Sequence, residues 1–204
     1  MSAPISKRSA LAALGGAFTA ACSPLSLFAT LSPKDPASHV ARGEAYGAGP
    51  RQRLDVYAPR RGPAAAPVAV FFYGGSWDSG RRQDYNWVGR ALASRGFLTV
   101  VADYRLYPEV RYPGFLEDGA QAVAWASRNA PGLGGDPARL VLVGHSAGAY
   151  NAVMLALDGR YLSAAGVDPK SVKAMAGLSG PYDFLPIQSD ITERIFGGTA
   201  DLPS

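Results

Sequence analysis

One cysteine and two histidines are all that 204 residues hold of the side chains most used for disulfides, metal sites and general-base chemistry. A single thiol, Cys22, excludes an intramolecular disulfide, so the fold must stand on its apolar core. The sequence has no His/Cys cluster at metal-ligand spacing and no glycine-rich phosphate loop, so neither a cofactor nor a metal is expected. Charge is sparse as well, at 18% against 48% hydrophobic residues, which is the balance of a folded globular chain rather than a disordered one. The formal net charge of +4 includes Lys7 and Arg8 near the N-terminus. There is no polybasic run with interleaved aromatics, so no nucleic-acid partner is expected. The paired arginines Arg60-Arg61 and Arg81-Arg82 read as solvated loops.

Lys7 and Arg8 precede an uncharged Ala/Leu/Gly-rich run, Ser9–Ala21. That run is too short to cross a bilayer and has the length of a signal-peptide core, so residues 1–21 are expected to be a removable leader. Cys22 follows Thr19-Ala20-Ala21. Small residues before a cysteine resemble the bacterial lipoprotein processing site, which implies export, with the protein periplasmic or anchored to the membrane through a lipidated Cys22; the alternative is that Cys22 is incidental. Thr19 stands where the usual leucine would be. Residues 22–50, mixed and punctuated by proline, read as a tether leading into a single domain over 51–204.

Past Pro50 the pattern becomes regular. Strands are expected at Arg53–Tyr57, Val68–Tyr73, Phe97–Ala102, Leu140–Val143 and Val172–Leu178. Helices are expected at Asn86–Arg95, Phe115–Ala130 and Ala147–Leu157. Strands alternating with helices imply an α/β fold, a mainly parallel sheet with helices on both faces.

The chemistry centres on Gly144-His145-Ser146-Ala147-Gly148. A G-x-S-x-G string is weak evidence in a chain with 24 glycines. Its context is stronger, because it lies between an aliphatic strand and a helix. A sharp strand-to-helix turn there lifts the serine hydroxyl above the sheet edge, and the glycines let the two backbones approach. A serine that merely caps a helix leaves both glycines without a reason. Ser146 is therefore the candidate nucleophile. After the second strand comes Tyr73-Gly74-Gly75-Ser76-Trp77, where the amides of Gly75 and Ser76, with that of Ala147, would form an oxyanion hole. Trp77 and Tyr73 are candidates for the wall of a substrate pocket, with a core position the alternative for Trp77.

These segments, together with Asp103-Tyr-Arg-Leu-Tyr-Pro-Glu109, Asp118 through Trp125 and Gly135-Asp-Pro137, resemble the α/β-hydrolase fold family in order and spacing. The nearest branch is the carboxylesterases similar to hormone-sensitive lipase, with bacterial esterases that carry an H-G-G-x-W motif. Tyr73 stands where that motif has histidine. The resemblance implies hydrolysis of small carboxylic esters through an acyl-enzyme on Ser146. It also implies that Asp103 and Arg105 form a structural pair behind the site. Two other readings stay open: an amidase of the arylformamidase kind, and a non-catalytic binding protein built on the same fold.

A serine hydroxyl needs a base, and the fold it resembles supplies one in the order serine, acid, histidine. No histidine follows Ser146; His145 adjoins it and His39 precedes the first expected strand. Asp183 follows the last visible strand and reads as a structural or pocket residue. The resemblance implies about eight strands, with acid and base after the last two. The expectation is thus a C-terminally incomplete hydrolase, inactive by itself, whose acid and histidine lie in a further segment.

Overall fold

The computed structural model describes residues 24–32, 34–62 and 64–197. The expected leader and Cys22 lie outside the described residues.

The centre of the sheet is set by its two most apolar segments. β3 (Ala66–Phe72) and β4 (Leu98–Ala102) are buried along nearly their whole length, as strands covered on both faces must be. β2 (Arg53–Pro59) and β5 (Gly135–His145) flank them. The outer strands are β1 (Ala37–Ala45) and β6 (Val172–Leu178), and the order is β1-β2-β4-β3-β5-β6. β4, β3, β5 and β6 run parallel, whereas β1 and β2 add antiparallel.

β3 reaches β4 through α2 (Asn86–Ser94), β4 reaches β5 through α3 (Gly114–Asn129), and β5 reaches β6 through α4 (Ala147–Leu157). The first crossover moves toward β1 and the other two move toward β6. Because such crossovers are right-handed, the reversal puts α2 on one face and α3 with α4 on the other. The contacts agree, with α2 on β2 and β4 and α3 against α4. The connections leaving β3 and β5 therefore part to opposite faces. The crevice beyond the carboxyl ends of these two neighbours is the switch point where open α/β sheets place their ligands.

Residues 22–50, expected to be a tether, hold a helix, α1 (Pro24–Leu31), and the whole of β1. β1 pairs with β2 from Ala37↔Pro59 to Ala45↔Arg53. It escaped sequence reading because register shifts on both sides of Ala41 break its period-two pattern, and much of it faces solvent. Two further short helices, α5 (Gly159–Ala164) and α6 (Asp190–Phe196), complete the described α-helices. At the opposite edge β6 pairs, among the described residues, only with β5, and its Met175 and Leu178 are exposed. Among the described residues no helix is long and apolar enough to cross a membrane.

Candidate active site

Register brings the two glycine motifs together. Phe72 of β3 lies opposite Gly144 of β5, so the chain leaves both strands at the same level. On the β5 side Ser146 has φ 52° and ψ −121°, a conformation that costs a residue with a Cβ on the order of 1–3 kcal/mol. The turn is pinned by the Ser146 amide donating to Leu178 O (2.8 Å) and by Ala149 N–H donating to Ser146 O (2.9 Å). The two glycines are sterically compelled. A Cβ on Gly144 would stand 2.0 Å from Gly148 O, and one on Gly148 would stand 2.2 Å from Phe72 O. α4 thus starts directly against the ends of both strands, with Ser146 at the crest.

On the β3 side Gly75, Ser76 and Trp77 all have positive φ, at 137°, 49° and 60°. The loop closes on itself through Asp78 N–H and Ser79 N–H donating to Gly75 O. Gly74 passes over the serine so closely that a Cβ there would be 2.8 Å from Ser146 Cβ. The amides of Gly75, Ser76 and Ala147 donate no hydrogen bond to any described residue, and Ala147 itself is buried. Ser146 is half-buried, and its hydroxyl likewise has no hydrogen bond within the described residues.

Tyr85 is a residue that sequence reading missed. Its hydroxyl meets His145 Nδ1 at 2.9 Å, and burial pushes its pKa up while the nearby Gly74 amide pulls it down. The phenol therefore ties the elbow to the glycine loop and engages His145 Nδ1. It lies in a 3-10 turn after the loop, where no spacing rule signals it. His39 sits on β1, four strands from the elbow.

Three expectations change. Trp77 and Tyr73 do not wall an open pocket. Trp77 is only 5% exposed, packs against Phe115, Tyr150 and Phe196, and donates through Nε1 to Asn151 Oδ1 (2.9 Å). Tyr73 is fully buried, stacked on Tyr104, and accepts from Arg51 Nη1 (3.2 Å). Trp77 turned inward because positive φ at two successive residues redirects the loop over the core. Asp103 and Arg105 are not a pair. Arg105 grips buried Asp118 through Nε and Nη2, whereas Asp103 binds Arg82. Nor is Arg82 a solvated loop residue: its guanidinium lies between Asp55 and Asp103, both largely buried. Both residues lie past the end of β4, where the chain has left the sheet, and each pairs with a carboxylate or guanidinium from another element.

This geometry gives a mutational expectation. Replacing Arg82 with methionine leaves two nearly buried carboxylates without their shared cation. The expected loss is about 2 kcal/mol, below the range for a fully buried pair because the guanidinium keeps some solvent contact. A lowered urea midpoint at unchanged slope checks it.

Comparison with known proteins places the chain in a family. A family model described as BD-FAE matches residues 54–199. The chain belongs to the BD-FAE family. The match takes in the elbow, the glycine loop and all strands from β2 to β6. The chain is 36% identical over 162 residues to a probable isoprenylcysteine alpha-carbonyl methylesterase of Oryza sativa subsp. japonica, covering 77% of this chain and 38% of that protein. It is 37% identical over 147 residues to esterase LipC of Mycobacterium tuberculosis, covering 68% of this chain and 36% of the relative. The chain thus spans little more than a third of the length of these curated relatives. Esterase B of Lactobacillus rhamnosis superposes with a TM-score of 0.73 at 23% identity, over 96% of this chain and 68% of that structure. The fold of this BD-FAE chain is that of the α/β-hydrolases.

Proposed function

We propose that this BD-FAE chain carries the nucleophile half of a serine carboxylesterase, with Ser146 attacking the ester carbonyl. The observation that carries the reading is the strained serine at φ 52°, set under a loop whose amides are unengaged. A serine needs no such strain to cap a helix or to pack in a core. The esterase names of its relatives favour the same chemistry.

The Ser146 oxygen bonds to the carbonyl carbon while its proton passes to a base. The carbonyl oxygen becomes an oxyanion, which the amides of Gly75, Ser76 and Ala147 stabilise by donation. Collapse expels the alcohol, which takes up the proton and leaves an acyl-serine. Water then adds and the acid departs. Neither histidine of the 204 residues serves as the base. His145 Nδ1 is engaged by Tyr85, and His39 belongs to the far side of the sheet. The base comes from residues other than these. Export and lipid anchoring at Cys22 belong to the same reading, supported by Lys7-Arg8, the Ser9–Ala21 run and the small residues before the cysteine.

Rates on short acyl esters against N-formyl anilides, measured on a form supplied with its base, test the substrate class. The expected result is faster turnover of the esters by about tenfold or more, because an alkoxide leaves more readily than an anilide. Preference for the anilides would move the assignment to an amidase.

A further inference from the structure

We infer that a cavity of about 430 Å³ on the β1 side of the sheet, remote from Ser146, binds a phosphate-class anion. Lys34, His39, Arg42, Asp55, Arg82 and Arg90 line it. Its volume suits a small ligand rather than a single water. Arg82 is shared by Asp55 and by Asp103 behind the cavity, which leaves Lys34, Arg42 and Arg90 as the unmatched cations, and Asp55 Oδ1 is already occupied by Arg82 Nε (3.0 Å) and the Gly43 amide (2.7 Å). Arg90 binds only a carbonyl, that of Ala37, and lies over the Tyr57 ring. Lys34, Arg42 and Arg90 have no carboxylate within ion-pair distance among the described residues.

The backbone is built to hold this arrangement. The register shifts in β1 bracket His39, Ala41 and Glu44, and re-aim the side chains between them. Gly43, at φ 63°, lets Arg82 in, since a Cβ there would already touch Nη2 at 3.3 Å. His39 is held by stacking on Tyr57, and its Nε2 is buried with no hydrogen-bond partner, 3.9 Å from Asp55 Oδ2. Burial lowers the His39 pKa, and Arg42 and Arg90 lower it further against the pull of Asp55. A buried imidazole nitrogen without a hydrogen-bond partner, beside guanidinium and ammonium groups without counter-charge, is complementary to an oxyanion that brings both negative charge and exchangeable protons. Phosphate monoesters and diesters share that chemistry, whether in a soluble metabolite or in a lipid headgroup.

Calorimetric titration of the 204-residue chain with inorganic phosphate and with glycerol 3-phosphate tests the first source. Co-sedimentation with phosphatidylglycerol vesicles, against phosphatidylcholine vesicles, tests the second. Lys34 and Arg42 are exposed, so Lys34→Ala/Arg42→Ala removes two charges without breaking a packing contact, and Arg60→Ala/Arg61→Ala removes two exposed charges elsewhere. The expected result is binding weakened by about tenfold or more in the first double variant and kept in the second, with the His39 ring titration moving upward on ligand addition. Binding of the soluble phosphates identifies a metabolite site. Binding confined to anionic vesicles with the same variant pattern identifies a headgroup site. No binding in either arm, or equal weakening in both double variants, overturns the inference.

Discussion

Gly148→Ala is expected to cost more than about 3 kcal/mol, beyond the usual penalty of adding one methyl to a packed core. The added carbon would stand 2.2 Å from Phe72 O and 2.3 Å from Tyr73 O, and both are main-chain atoms of the sheet that no rotamer change can move. To relieve them, α4 must withdraw from β3, which carries the elbow out from under the glycine loop. Urea unfolding should show a lower midpoint or no cooperative transition at all. The contrast is Gly132→Ala, where an added Cβ meets nothing within 4 Å, so that variant should unfold almost as the parent does. Equal midpoints for the two variants would mean that strand and helix are not in the contact described here.

The second large effect separates reactivity from stability at one position. Ser146 holds φ 52° in spite of its Cβ, and glycine adopts that region without penalty. Ser146→Gly should therefore raise the stability of the fold by about 1 kcal/mol, and Ser146→Ala, which keeps the Cβ, should leave it nearly unchanged. In a form that holds its base, both should lose ester turnover by about 10³-fold or more, since the hydroxyl is gone. A nucleophile purchased at the expense of stability has this signature. If Ser146→Gly destabilises the protein instead, the strain is absent and the serine is an ordinary cap.

Much of this was legible in the sequence, and the reason differs by element. The central strands announced themselves through unbroken apolar runs at Val68–Tyr73 and Leu140–Val143, because strands buried on both faces leave no room for polar residues. The elbow was legible because steric need writes glycine at 144 and 148. β1 was hidden, since an edge strand broken by register shifts obeys no period. The partners of Asp103 and Arg105 were hidden for another reason. Their partners lie 21 and 13 residues away on other elements, a distance across which no local pattern signals a charge pair. Trp77 read equally well as pocket or core. Its backbone at φ 60°, which no sequence pattern announces, decided for the core. Tyr85 bridging to His145 belongs to the same class, a contact across 60 residues with no local signature.

In the proposed mechanism Ser146 is poised to react and is activated by neither His39 nor His145. Fluorophosphonate labelling of the 204-residue chain with and without added imidazole tests it most directly, with the adduct located by peptide mass spectrometry. Labelling should be slow and accelerated by imidazole, with the adduct on the peptide containing Ser146 and none in Ser146→Gly. An adduct that imidazole does not accelerate, one on another residue, or none at any imidazole concentration would contradict it.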